Sequence, residues 1–371
     1  MTTVTTVTTM SDIPNYPIGK PIPMEQSRQW PAAVHRFNAK TVAALRAAEA
    51  TNRPLLIRGL PGVGKSMSAR AAAVYAKRPL LAHVIDSRTE ADDLKARFDT
   101  VRRLADAQIR RDANSTLPDE VHYLTPQVLW WAFDWVGAQK QQRLVRRKPS
   151  AAQAPEAECG ASTAPVESPE TKDGAAVEAD TPPVDIPPGW QPDTKRSVLL
   201  LDEIDKADVE LPNALLEAFG ANSFTVPVTG LKVSCLPERR PLIVITTNEE
   251  RELPGAFLRR CLVLWLTLPD KERELVDELV AIGTEHQHWL MQERQGGPLR
   301  KGACLVIKEA AQLVAARRLE LRDGAYQPGT SEFLDLVAAL SELWPGNRRA
   351  QKKQLGNLQD FVLNKSGEPN A

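Results

Sequence analysis

The sequence predicts an α/β chain in which helices cover a largely parallel sheet and a small all-α domain follows. Three observations predict it. Five short apolar runs lack polar alternation, as strands buried on both faces do. Longer stretches with helical spacing separate them, the pattern of β-α-β crossovers. After Pro269 the strand runs stop while the helical ones continue. At 371 residues, against about 150 per domain, one sizeable core and a smaller companion are expected.

From the N-terminus, residues 1–10 are rich in threonine and valine, with no basic residues and no apolar core long enough for a signal peptide. Residues 1–30 therefore read as a tail. Strands are expected over 54–58 (PLLIR), 80–85 (LLAHVI), 197–201 (SVLLL), 242–246 (LIVIT) and 262–266 (LVLWL). Helices are expected over 65–77, 90–111, 125–142 and 212–219, and the run SFTVPVTGLKVSC (223–235) alternates around Thr229-Gly230 as a β-hairpin does. Four further helices, 271–291, 303–318, 331–340 and 348–361, make up the all-α part. The expected units are thus an α/β domain over 31–268 and a helical domain with its C-terminal tail over 269–371.

One stretch does not fit a folded layer. Residues 149–193 hold nine prolines and nine acidic residues against one basic residue, Lys172, and almost no large apolar side chain precedes Ile186. They read as a disordered insert. A basic cluster, Lys140, Arg143, Arg146, Arg147 and Lys148, lies just before it, either closing electrostatically on the insert or forming a solvated helix end.

Composition narrows the function classes. The 47 basic and 47 acidic residues balance to a formal charge of zero, so no global basic field gathers nucleic acid. Cys159, Cys235, Cys261 and Cys304 have no short pair spacing, which fits neither a disulfide framework nor a zinc site. No apolar run approaches the 18 or so residues of a membrane helix. A cytoplasmic location without membrane contact is the expectation.

The chemistry lies in two motifs. Gly59-Leu-Pro61-Gly62-Val63-Gly64-Lys65-Ser66 fits G-x-x-x-x-G-K-[ST], directly after an expected strand and opening an expected helix, with Met67 next in that helix. The glycines let backbone N–H groups turn inward around phosphates, Lys65 reaches the β and γ phosphates, and the Ser66 hydroxyl ligates magnesium. Then the strand of Val198 to Leu201 ends in Asp202-Glu203, whose consecutive side chains diverge and can take different tasks. Asp202 is expected to bind Mg²⁺, and Glu203 to orient and deprotonate the attacking water. A nucleoside triphosphate and Mg²⁺ are the expected cofactors; no residue reads adenine over guanine, and ATP is what the resemblance described next implies.

With two later features in the same order, the chain resembles the AAA+ ATPases, and within them the MoxR-like group, over roughly 53–340. The resemblance implies the AAA+ type of P-loop NTPase sheet with a C-terminal helical lid. The strand LIVITTN ends in Asn248, matching the family's first sensor of the γ phosphate. LPGAFLRRC matches its arginine-finger helix, with Arg260 as finger and Arg259 in reserve. Where many MoxR-like chains begin a lid helix with glycine-serine-arginine, this one reads Gly329-Thr-Ser-Glu-Phe333, so Arg322 or another lid residue substitutes, or the lid couples less directly. The 136 positions between Ser66 and Asp202 resemble the helix insertion of that clade.

The family resemblance implies an ATPase working as a homo-oligomeric, hexameric ring on a protein client or with a von Willebrand factor A-domain protein. Two rivals use the same core: a nucleic-acid or nuclease-associated motor, which the balanced charge disfavours, and a signalling or scaffold ATPase whose nucleotide sets its assembly state. Trp130, Trp131, Phe133 and Trp135 crowd one expected helix whose neighbours lie about 100° apart, so they are either mostly core or partly a binding patch. The hairpin reads equally as structural or as a partner contact.

Overall fold

Apolar strands with no polar alternation need cover on both faces, and the chain supplies it with helices and with its own N-terminal arm. The computed structural model describes residues 13–109, 117–146, 184–188, 190, 196–293, 303–321 and 326–363. It begins with a hairpin, β1 (Pro21–Met24) against β2 (Ala33–Arg36). Next come α1 (Ala39–Thr51), β3 (Leu55–Arg58), α2 (Lys65–Ala76) and β4 (Leu80–Val84). A side layer follows: α3 (Ala91–Lys95), β5 (Ala96–Phe98), α4 (Thr100–Ile109), β6 (Leu124–Pro126), α5 (Val128–Phe133) and α6 (Trp135–Arg146). The chain returns through β7 (Val184–Asp185), β8 (Val198–Asp202), α7 (Glu210–Ala221), the hairpin β9 (Ser223–Thr225) and β10 (Lys232–Ser234), then β11 (Leu242–Thr247), α8 (Gly255–Arg260) and β12 (Leu262–Trp265). Four helices complete it: α9 (Glu272–Glu293), α10 (Ile307–Glu320), α11 (Thr330–Leu343) and α12 (Arg348–Val362).

The sheet runs β12-β3-β11-β8-β4-β7, and all of its pairings are parallel except that of β7 with β4. This is the expected class, a largely parallel α/β sheet followed by a small all-α part. Leu55, Ile57, Leu200 and Val244 face one core layer, and Leu56, Leu199, Leu201 and Ile245 face the other. The alternation confirms burial on both faces. In the lid, Leu275, Leu279, Val314, Phe333, Leu336 and Leu340 continue the first layer.

Three expectations need correction. The tail over 1–30 is too long: Tyr16, Ile22 and Met24 are buried, and Arg70 on α2 donates to the carbonyls of Glu25 (2.5 Å) and Pro31 (2.6 Å). Apolar residues spaced two apart, as in Ile22 and Met24, were enough to make a strand, so the arm from residue 13 belongs to the folded unit; 1–12 lie outside the described residues. Within the expected insert, Val184–Asp185 adds the edge strand β7, and Trp190 stacks edge-on against Trp135 with ring centroids 4.4 Å apart. Residues 149–183, 189 and 191–193 lie outside the described part.

The expected helices over 90–111 and 125–142 are each broken. The first yields to pairing of β5 with β6, after which the Asp99 carboxylate accepts from the Arg102 N–H (2.9 Å) to start α4. The second breaks at Asp134, whose carboxylate accepts from the Gly137 N–H (2.9 Å) and starts α6. That break resolves the crowding of aromatics, because it re-aims Trp135 relative to the preceding turn. Trp130, Trp131, Phe133 and Trp135 are all buried, so they form core rather than a partner patch.

Candidate functional site

The loop between β3 and α2 must turn sharply beneath a neighbouring strand. A Cβ on Gly59 would stand 2.3 Å from the Leu266 carbonyl oxygen, and its φ of 151° is a value that side chains rarely adopt, so only glycine fits. Gly62 and Gly64 also have positive φ, Gly64 handing the chain to α2, while Val63 is buried and Met67 packs on the core. Pro61 lies between Gly59 and Gly62 in the loop.

Lys65, the first residue of α2, is buried and points back into this loop. Its Nζ donates to the carbonyls of Gly59 (2.7 Å) and Leu60 (2.9 Å) and to Asn248 Oδ1 (2.6 Å). Burial pulls its pKa below the ordinary lysine value, an effect that Asp202, Asp205, Glu203 and Glu249 oppose. The Ser66 hydroxyl donates to both oxygens of Asp202, at 2.7 and 2.9 Å. A serine hydroxyl beside a carboxylate is a hard oxygen donor set of the kind Mg²⁺ takes together with substrate phosphates.

The adjacent carboxylates do diverge. Glu203 leaves β8 in a left-handed conformation (φ 62°), which swings its side chain away from Asp202. Its Oε1 accepts from Asn248 Nδ2 (3.2 Å) and its Oε2 from Lys206 Nζ (2.5 Å). The hydrogen bond to Glu203 raises the Lys206 pKa. Asn248, at the end of β11, thus links Lys65 to Glu203.

Sequence reasoning missed three supports. Thr246, fully buried on β11, donates to Asp202 Oδ1 and accepts from the Glu203 N–H (3.0 Å). Asp205, also buried, accepts from the N–H groups of Asn248 (3.3 Å) and Glu250 (3.0 Å), holding the turn that presents Asn248. Lys206 is the third. Its place three residues after Glu203 in DEIDK was a readable signal; the role of Thr246 depends on which strands are neighbours.

Five of the expected residues therefore converge: Lys65, Ser66, Asp202, Glu203 and Asn248. Arg259 and Arg260 do not join them. Both are exposed at the end of α8, and neither guanidinium has a hydrogen bond or ion pair among the described residues. At the lid, Phe333 is fully buried, and a Cβ on Gly283 of α9 would stand 2.8 Å from its ring, so it supplies packing where an arginine was sought. The lid instead meets the phosphate loop through its backbone, the Ser331 N–H donating to the Gly62 carbonyl (3.3 Å). Arg322 lies outside the described residues.

No protein-family model and no curated protein matches the chain. Solved structures resemble it loosely. NtrX from Brucella abortus is 13% identical with a TM-score of 0.36, over 90% of this chain and 52% of that one. Its complex with ADP is 12% identical with a TM-score of 0.37, over 89% and 52%. A chain from Cytophaga hutchinsonii described as a candidate ATPase is 13% identical with a TM-score of 0.33, over 89% of each. The chain spans about half the length of the NtrX chains. Likeness at this level carries no argument about chemistry, which rests on the geometry of the five residues.

Proposed function

We propose that the chain is an ATP-hydrolysing remodelling ATPase of the MoxR-like AAA+ group, acting in the cytoplasm as a hexameric ring on a protein client or with a von Willebrand factor A-domain protein. The observation that carries its hydrolytic core is the meeting of Lys65, Ser66, Asp202, Glu203 and Asn248 at one end of the parallel sheet.

The loop over 59–66 and the start of α2 offer an anion backbone N–H groups and the positive end of a 12-residue helix. Lys65, desolvated and held by neutral carbonyls, gains most from an anionic partner, so phosphate oxygens are the natural replacement for Gly59 and Leu60. Ser66 and Asp202 would hold Mg²⁺, which when bound neutralises charge on the phosphates. Glu203 takes the proton of the attacking water once its Oε2 parts from Lys206, and Asn248 orients that water.

Two exposed arginines at a helix end support the ring, since a cation with no partner among the described residues is suited to the nucleotide of a neighbour. Arg260→Ala should bind ATP as wild type does yet hydrolyse it about a hundredfold more slowly, given that such fingers contribute about 10³ to 10⁵ elsewhere. Mixed with Lys65→Ala, which brings an intact finger but a defective pocket, it should recover part of the activity. Failure to recover in rings with demonstrated subunit exchange, with Arg260→Ala and equally with Arg259→Ala, would refute action across subunits.

A further inference from the structure

The C-terminal end of α8 is anchored by one side chain from elsewhere. Arg53, in the turn between α1 and β3, spreads its guanidinium over three consecutive carbonyls: Nε donates to Arg260 (3.1 Å), and Nη2 to Arg259 (2.6 Å) and Cys261 (3.1 Å). A helix leaves its last carbonyls without intrahelical partners, and α8 has only six residues with which to hold its direction. The backbone from which both exposed arginines project is thus fixed by a forked contact to the start of β3, the strand that leads into the phosphate loop.

We infer that Arg53 is a positioning residue for the arginine finger, setting the direction of Arg259 and Arg260 by clamping the carbonyls of both and of the residue that follows. The inference rests on the finger reading above. It accounts for how the backbone that carries Arg259 and Arg260 on a six-residue surface helix is held in place, and it ties that backbone to the turn leading into β3, which carries the chain's own loop over 59–66. Lysine cannot replace the fork, because one ammonium cannot reach across three carbonyls with the same planar geometry.

A double-mutant cycle on the full chain tests it. Arg53→Ala should lower ATP turnover by about ten- to hundredfold, the scale on which misplacement of about 1 Å acts, while affinity for a fluorescent ATP analogue stays within about twofold of wild type. Arg53→Lys should recover part of the loss. Adding Arg53→Ala to Arg260→Ala should cost little more than Arg260→Ala alone, because a finger already removed cannot be misaimed. Losses that multiply, or a fall in nucleotide affinity matching the fall in turnover, would overturn the inference and leave Arg53 a structural staple. Normal turnover in Arg53→Ala beside a slow Arg260→Ala would overturn it with the finger intact; normal turnover in Arg260→Ala and Arg259→Ala would remove the finger itself. Should Arg53→Ala fail to fold, the cycle is read with Arg53→Lys, for which an additive loss is again the overturning result.

Discussion

Thr246 joins the two carboxylate residues of the site through one hydroxyl, which donates to Asp202 and accepts from the Glu203 backbone. Thr246→Val keeps the shape and takes this partner from both the Glu203 N–H and the Asp202 carboxylate. Turnover should fall about tenfold or more while nucleotide affinity changes little, and Thr246→Ser should restore most of it; a Thr246→Val protein with wild-type turnover would show that the hydroxyl does not align the pair. Residues of this kind mark the limit of what sequence could show. That Lys65, Ser66, Asp202 and Glu203 belong together was legible because the phosphate and metal chemistry expected of them demands fixed types at fixed spacing, whereas Asn248 came only from the family resemblance. Thr246 and Asp205 act across strands or turns, so only the sheet order reveals their partners.

Among the elements, the N-terminal arm holds a titratable group that reports on its docking. His35 on β2 is half-buried beside α2, its Nε2 3.2 Å from Ser68 Oγ, and desolvation lowers its pKa to about 4 from the ordinary 6.5. Between those values the unfolded chain binds a proton that the folded imidazole refuses. This contribution to stability is therefore intact above about pH 6.5 and is lost as pH falls toward 4, on the order of 3 kcal/mol in all. Denaturant titrations at several pH values should show His35→Gln losing less stability across that window than wild type does; parallel curves would mean that the arm is open and His35 solvated. The aromatic turn of α5 and α6 offers a second check, since Trp130→Ala should destabilise by about 3 to 5 kcal/mol in a melt, as expected for core and not for a surface patch. The five parallel strands of the sheet were readable as short apolar runs, and the four C-terminal helices from their helical spacing. The breaks at Ala96 and Asp134 were not, because strand pairing and a single cap overrode local helical preference.

For the whole molecule, the sheet brings strands distant in sequence to a common end, where 136 positions of intervening chain collapse to a 2.7 Å contact between Ser66 and Asp202. The lid adds its own contact to the same loop through Ser331 and Gly62, and Arg36 on the N-terminal arm forks to Glu278 (3.2 Å) and Glu285 (3.3 Å) on α9. The helical part thus contacts both the loop over 59–66 and the N-terminal arm. No helix of the described residues is long and apolar enough to cross a membrane. The central claim is that one end of this sheet separates nucleotide binding from water activation. The measurement that tests it most directly compares ATP affinity and single-turnover hydrolysis in Lys65→Ala and Glu203→Gln. Lys65→Ala should lose tight Mg-ATP binding, whereas Glu203→Gln should bind as wild type does and hydrolyse at least about a hundredfold more slowly; equal loss of affinity in both, or undiminished hydrolysis in Glu203→Gln, would contradict the account.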